Sequence, residues 1–517
     1  MKRVISKSKY VSGLQCLKYL WCLINDPESI PPFDEVTMFR FQQGHEVGNL
    51  AKSLFPGGIE IEHGVDIEAE LARARELTGL AASATDKAYS ANNFPKPLFE
   101  PAFTYKNSFA RADILEPAAN GSWNIIEVKS SSSIKDINIH DLSLQKYCYE
   151  GSGLKINRCY LMYLNRDYVK YGPIDPHRFF VKEDVTAQAE MLQEAVEDNI
   201  SRMLEAIESP TCPDISIGKN CDNPYECQLK QVCWGGLPKN NVFELYRGKD
   251  LACYFYENGI IEISHIEDTS MIDAIQQKQY RSVTQNCPVF DADDIRLFLK
   301  KLKYPLYFLD FETFATAVPL FNGLRPYQNI PFQFSCHIMQ NPEGLPKSLY
   351  FLAGDDGKDP RPNFLESLKK ALGYDGGAGK AFPDGSILVY YEYFEKGILK
   401  ALAEAYPQHA SWIEDAIARI VDLYEPFGKF YYYSALQKGS ASLKNVLPAL
   451  TGISYDDMEI KNGQEASIRY LNVTFLKGEA PPDENLVKKT RKDLLDYCGL
   501  DTEGMIYILR ELYKIAG

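Results

Sequence analysis

The sequence predicts two α/β domains on one chain, each a mixed sheet with flanking helices, and three observations predict it. At 517 residues the chain exceeds one ordinary core, and length alone points to about two to four domains. Strand-like and helical runs alternate from Leu98 onward. A second block of strands opens at Leu306 and passes into alternating helix and strand, which is an α/β order and not that of a sandwich or bundle. Apolar residues make up 45% and charged residues 24%, the balance of a globular protein.

No apolar run approaches the roughly 20 residues that span a bilayer. The N-terminus is basic (Lys2, Arg3, Lys7, Lys9), but Lys18 and Asn25 interrupt any signal-peptide core, so a cytoplasmic protein with no membrane partner is expected. A net charge of −14 argues against a uniform nucleic-acid-binding coat, yet it leaves room for a local basic channel. Clustered carboxylates that hold metal ions would also contribute to it.

The first domain is expected over residues 1–240. Helical periodicity covers 35–54 and 67–88; strand-like runs cover 98–105, 108–115 and 123–129. A helix at 141–150, a strand at 156–164 and a charged helix at 186–208 follow. A loop rich in Pro, Cys and Asn closes the segment at 210–234. Residues 241–292 read as a connector with a small sheet of its own. The second domain, 293–517, starts with a helix at 293–303 and strands at 306–311, 332–339 and 348–352. A helix at 364–372, a buried strand at 387–391 and an all-helical tail complete it. The glycine-rich stretch 373–380 ends Gly-Lys, but its spacing is one residue too long and Ala381 replaces the needed Ser or Thr, so it is a loop and not a phosphate cradle.

Asp113 closes a strand in Arg-Ala-Asp-Ile-Leu, and Ile-Ile-Glu-Val-Lys follows on the next. Side chains alternate along a strand, so Glu127 and Lys129 share a face. Two carboxylates and an ammonium can then converge. Such a pair suits a hard divalent cation, which acidifies water and offsets phosphoryl charge. A surface salt bridge is the plainer reading of Glu-x-Lys, but a charged pair inside a core-like strand needs a reason. These residues resemble the PD-(D/E)XK nuclease superfamily, in particular its RecB-like branch and the iron–sulfur nucleases of CRISPR adaptation. Gln145 and Tyr149 match that branch's Gln-x-x-x-Tyr helix, and His45, in Gln-Gly-His-Glu, matches its upstream histidine. The resemblance implies a restriction-endonuclease-like mixed sheet. It also implies His45, Asp113 and Glu127 as metal ligands, Lys129 as the catalytic lysine, and Gln145 and Tyr149 supporting the site or touching DNA.

Twelve cysteines are many for a compartment where disulfides are rare. Eight lie alone and read as small buried hydrophobes. Cys221, Cys227 and Cys233 are spaced C-x5-C-x5-C, and Cys16 stands far upstream. Four thiols can enclose one soft metal centre. The split of one cysteine and then three resembles the same iron–sulfur branch, which implies a structural [4Fe–4S] cluster that pins the ends of the domain together. The first gap is longer than that family's common spacing, so Cys212 or Cys22 stays open as a substitute ligand, and Zn2+ stays open as the alternative metal.

In the second domain, Leu-Asp-Phe-Glu-Thr puts Asp310 and Glu312 on one face of a buried strand. Paired acids there are costly unless a metal or partner neutralises them. Glu395 falls at a strand-to-helix junction, and Tyr497 and Asp501 stand four apart on a helix. These residues resemble the DEDD (DnaQ-like) 3′–5′ exonucleases of the RNase H-like fold. The resemblance implies four carboxylates holding two Mg2+ or Mn2+ ions and a tyrosine that positions water. Glu395 departs from the family's usual Asp and Tyr391 from its usual Asn, and Asp422 is an alternative acid. Lys488, Lys489, Arg491 and Lys492 precede the last motif as phosphate contacts or as a solvated helix face.

The pairing resembles an uncharacterised bacterial family of unknown function. The expectation is a metal-dependent nuclease on nucleic acid, DNA before RNA, in repair, recombination or defence. The other readings are a binding scaffold with one or both centres decayed, and an RNA-processing exonuclease.

Overall fold

The computed structural model describes residues 4–62, 64, 66–80, 95–374, 384–475 and 483–517. Lys2 and Arg3, the helical periodicity after residue 80, and positions 375–383 of the glycine-rich loop lie outside the described residues. The chain divides into two compact units: Met1–Gly236 with Thr316–Gln328, and Leu237–Ala315 with Asn329–Gly517. The fold is mixed α/β with several mixed sheets. Among the described residues, no helix is long and apolar enough to cross a membrane.

Among the described residues the first unit carries nine strands: β1 (Ile5–Ser6), β2 (Ile59–Glu60), β3 (Leu98–Phe99), β4 (Ala102–Tyr105), β5 (Ser108–Arg111), β6 (Ile114–Pro117), β7 (Trp123–Lys129), β8 (Ile156–Leu164) and β9 (Phe180–Asp184). Six of them form a sheet in the order β2-β3-β6-β7-β8-β9, with β7 antiparallel to β6 and parallel to β8. The other three form β1-β5-β4. The helices that position the site are α1 (Lys7–Gln15), α2 (Leu17–Asn25), α3 (Glu35–Lys52), α4 (Ile67–Leu77) and α5 (Asp136–Gly151).

β7 is apolar on both faces because helices cover both. Ile125 packs with Leu142 and Tyr149 of α5, whereas Ile126 packs with Val47 and Ala51 of α3. Two expected strands break in two. At 98–105 the chain turns at Glu100, where φ is 57°, and Pro101 has no N–H to continue a ladder. At 108–115 the break falls at Ala112 and Asp113, so Asp113 occupies the gap between β5 and β6. The expected helix at 186–208 is two helices, Thr186–Met191 and Gln193–Glu208.

The second unit holds β10 (Val289–Phe290), β11 (Leu306–Phe314), β12 (Ile330–Met339), β13 (Lys347–Leu352), β14 (Ile387–Val389), β15 (Ile420–Asp422) and β16 (Tyr432–Tyr433). Five of them run β13-β12-β11-β14-β15, antiparallel as far as β11 and parallel beyond it. Two expectations are corrected. The tail is not all-helical, because β15 completes the sheet and β16 pairs with β10. Residues 241–292 belong to this unit and form no sheet of their own. They fold as helices Lys249–Glu257 and Ala274–Gln285 over a small core that includes Leu245, Phe255 and Ile263, and β10 finds its partner some 140 residues downstream.

Candidate functional site

In the first unit, the face of β7 that carries Ile125 also carries Glu127 and Lys129, and α5 lies across it. Lys129 donates to Glu127 Oε1 at 2.7 Å and to Asp141 Oδ2 at 2.9 Å. Gln145 donates to Glu127 Oε2 at 2.8 Å and to Asp141 Oδ1 at 3.1 Å, while its own Oε1 is buried with no partner. Asp113 accepts from the Val128 N–H at 2.6 Å. Lys7, at the first position of α1, donates to Glu127 Oε1 at 2.8 Å and stands 3.9 Å from Asp113 Oδ1.

Burial and the neighbouring Glu127 charge push the Asp113 carboxyl up to about 7. Burial opposes ionisation of Glu127, but Lys129 and Lys7 outweigh it and hold the carboxyl well below its ordinary range. Tyr149 is fully buried: its hydroxyl accepts from the Ala112 N–H at 2.9 Å and donates to the Pro101 carbonyl, which braces the backbone beside Asp113.

The sequence also pointed to His45. It is exposed on α3, the helix that packs on the Ile126 face of the sheet. Among the described residues, the one set of three or more His, Cys, Asp or Glu ligand atoms within 4.8 Å of one another is Asp310, Glu312 and Cys498. Sequence reasoning missed Lys7 and Asp141. Asp141 had a signal, four residues before Gln145 on one helix face; Lys7 had none.

Cys16, Cys221, Cys227 and Cys233 line one small cavity with Lys18 and Ile217. Cys16 is the junction residue between α1 and α2, and Gln15 beside it donates to the carbonyls of Asn220 and Tyr225 at 2.8 and 2.7 Å. Burial pushes the Cys227 thiol up to about 11. Thiolates on one zinc ion sit roughly 3.8 Å apart, as the Zn–S length requires. No three of these sulfurs come within 4.8 Å of one another. Cys22 and Cys212 are not among the residues lining the cavity, but they pack in one apolar cluster with Cys227, Cys233 and Leu229.

In the second unit, Leu309 and Phe311 enter the core under the sheet, so Asp310 and Glu312 face the other way. The long helix Glu484–Ala516 crosses that face. Gln333 donates to the Leu494 carbonyl at 2.7 Å, and Thr502 Oγ1 lies 2.7 Å from Ser335 Oγ and 2.8 Å from His337 Nδ1. These bonds from β12 set Tyr497, Cys498 and Asp501 over β11. Cys498 Sγ lies 3.4 Å from Asp310 Oδ2. Tyr455 donates to Asp501 Oδ1 at 2.6 Å, and Lys444 donates to the Tyr497 hydroxyl at 2.7 Å. Glu395, in the first turn of helix Glu392–Ala405, is 2% exposed, and its Oε2 is buried without a partner.

The electrostatics follow from four carboxylates in little solvent. Burial first, and the other acids second, hold Asp310, Glu312 and Glu395 well above the carboxylate range. Burial pushes Asp501 up to about 6, with Tyr455 and Lys444 opposing. Lys444 is itself held below its ordinary value by burial, against the pull of Asp501, Glu312 and Asp310. An orphaned carboxylate oxygen among like charges is the donor set a divalent cation satisfies. Lys444, Tyr455 and Cys498 were not singled out from sequence.

Asp422, the alternative acid, lies near Glu395. It accepts from the N–H groups of Tyr391, Glu392 and Tyr424 at 2.9, 3.2 and 2.9 Å, and so clamps Tyr391 at φ 79° before the helix that carries Glu395. Of the basic run, Arg491 donates to the carbonyls of Ala353 and Leu352. Lys488, Lys489 and Lys492 pair with Glu484, Glu459 and Asp496 on the helix surface.

Residues 307–442 match a family model described as a domain of unknown function, DUF2779. The chain is also similar to the uncharacterized MG366 homolog of Mycoplasma pneumoniae, at 27% identity over 230 residues. That match covers 40% of this chain and 32% of the relative, so the chain spans about a third of the relative's length.

Proposed function

We propose that this chain is a divalent-metal-dependent nuclease, a phosphodiester hydrolase with one centre in each unit, acting on single-stranded DNA ends in the cytoplasm. The first unit's sheet is read as PD-(D/E)XK-like and the second's as RNase H-like. The observation that carries the reading is the convergence of Asp310, Glu312, Glu395 and Asp501, with a buried Glu395 oxygen left unpartnered.

Those four residues would hold Mg2+ or Mn2+ in the second unit, and Asp113 and Glu127 would hold it in the first. A bound cation there acidifies water and offsets charge on phosphoryl oxygens. The chain's own groups do the rest. Lys444 holds the Tyr497 hydroxyl in place, Tyr455 fixes the rotamer of Asp501, and Lys129 offers an ammonium beside Glu127. Cys16, Cys221, Cys227 and Cys233 would hold a [4Fe–4S] cluster that ties the N-terminal helices to the loop after residue 210.

The test uses protein purified under low oxygen, with end-labelled single-stranded DNA, duplex DNA and RNA in Mg2+ or Mn2+. Wild type, Asp113→Ala, Asp310→Ala and the double variant are compared. Each single variant is expected to remove a distinct part of the cutting, and chelator all of it. Folded, metal-loaded wild type that cuts none of the three substrates would overturn the reading in favour of a binding scaffold, and cutting confined to RNA would change the substrate.

A further inference from the structure

We propose that Lys7 is a second cation of the nuclease centre in the first unit, working beside a single divalent ion on the arriving phosphodiester. The proposal rests on the nuclease reading above. Three carboxylates, Asp113, Glu127 and Asp141, meet two ammonium groups, Lys7 and Lys129, and leave one net negative charge. That balance accommodates one divalent ion. Without Lys7 the same carboxylates would carry two net negative charges, which one divalent ion neutralises alone; with Lys7 the ion-loaded centre keeps one positive charge to set against a phosphodiester.

The position of Lys7 is built and not incidental. Its Nζ spans the two carboxylates at 2.8 and 3.9 Å, 120 residues away along the chain in the case of Glu127. A lysine at the first position of a helix faces the positive end of the helix dipole, which disfavours it; Glu127 and Asp113 offset that cost. The backbone around it is held on both sides. Ile5, fully buried, pairs with Ser108 of β5, Ser6 caps α1 through the Lys9 N–H, and Gln15 fastens the other end of α1 to two carbonyls of the cysteine loop. Lys7 and Lys129 side chains are 28% and 25% exposed. Both can therefore meet a phosphodiester arriving from solvent, while Glu127 beneath them, at 2%, cannot.

The experiment counts Mn2+ by electron paramagnetic resonance in the full chain carrying Asp310→Ala, so that the ion observed belongs to the first unit, and measures cleavage at saturating Mn2+. The parent is expected to bind a single Mn2+ and to lose it in Glu127→Gln. Lys7→Met is expected to bind Mn2+ at least about tenfold more tightly, because a like charge has left, while kcat falls at least about tenfold. Lys7→Arg keeps the charge and is expected to stay within about threefold of the parent in both. Unchanged Mn2+ affinity in Lys7→Met, or an undiminished kcat, overturns the proposal. If Lys7→Met does not fold, Lys7→Gln is judged on the same two criteria. Mn2+ that stays bound in Glu127→Gln would instead overturn the nuclease reading of this centre, an outcome distinct from failure at Lys7.

Discussion

The ammonium of Lys444 stands 2.7 Å from the hydroxyl of Tyr497 and 4.7 Å from the centre of its ring. The tyrosine is thus held by a cation that also neutralises part of the charge on Asp501, Glu312 and Asp310. Tyr497 and Lys444 form one unit in the second centre, with Lys444 also anchored on the Lys461 carbonyl at 2.5 Å.

Lys444→Met is therefore expected to lower kcat for removal of 3′ nucleotides by about 100-fold, close to the loss from Tyr497→Phe. The double variant should lose little more, because residues acting as a unit are not additive. End-labelled single-stranded DNA in an Asp113→Ala background reads the second centre alone. Losses that multiply in the double variant would separate the two residues.

Asp422 and Glu395 should part on stability and activity. Asp422→Ala strands three backbone N–H groups and releases the clamp on Tyr391, an expected cost of about 2–3 kcal/mol. Glu395→Ala removes a buried carboxyl with an unpartnered oxygen and is expected to leave stability intact or improved while abolishing the second centre's Mn2+-dependent cutting in an Asp113→Ala background. Urea unfolding paired with a cleavage assay decides between them. A stable, inactive Asp422→Ala would make Asp422 the metal ligand.

If the four cavity cysteines hold the proposed [4Fe–4S] cluster, removing any of them should release it. Cys227→Ala is expected to lose iron and acid-labile sulfide and to unfold at lower temperature, whereas Cys22→Ser and Cys212→Ser should keep both. Metal and sulfide analysis of the purified protein measures this. Full iron in Cys227→Ala, or zinc without sulfide in the wild type, would overturn the [4Fe–4S] assignment.

His337 gives a pH signature. Burial holds its imidazole below the ordinary value of 6.5, so the unfolded chain takes up the proton more readily than the folded one. Its contribution to stability is full above that value and is lost as pH falls through the ordinary value toward the folded one. His337→Gln can still bond Thr502 and does not titrate, so its stability should fall less steeply below pH 6.5. Parallel curves in denaturant titrations at stepped pH would remove His337 as the cause.

Local periodicity made much of both centres legible. Alternation along β7 and β11 pairs Glu127 with Lys129 and Asp310 with Glu312 whatever else the chain does, and the four-residue step does the same for Tyr497 with Asp501. The mixed α/β class followed from the order of these runs. Strand ends were less legible, because Glu100, Pro101 and Asp113 break the ladder for reasons of backbone geometry that a run of apolar residues does not carry.

Tertiary structure alone decided which distant side chains join. Lys7 reaches Glu127 because β1 pairs with β5 and aims α1 at the site. Lys444 and Tyr455 reach Tyr497 and Asp501 because neighbouring segments pack on the long helix. His45 lies on a helix covering the opposite sheet face from Glu127, and Asp422 accepts from backbone N–H groups. Spacing along a strand or helix is fixed by covalent geometry and so can be read from residues in order. Contact between elements depends on which apolar faces bury each other, and that is settled only when the whole core closes.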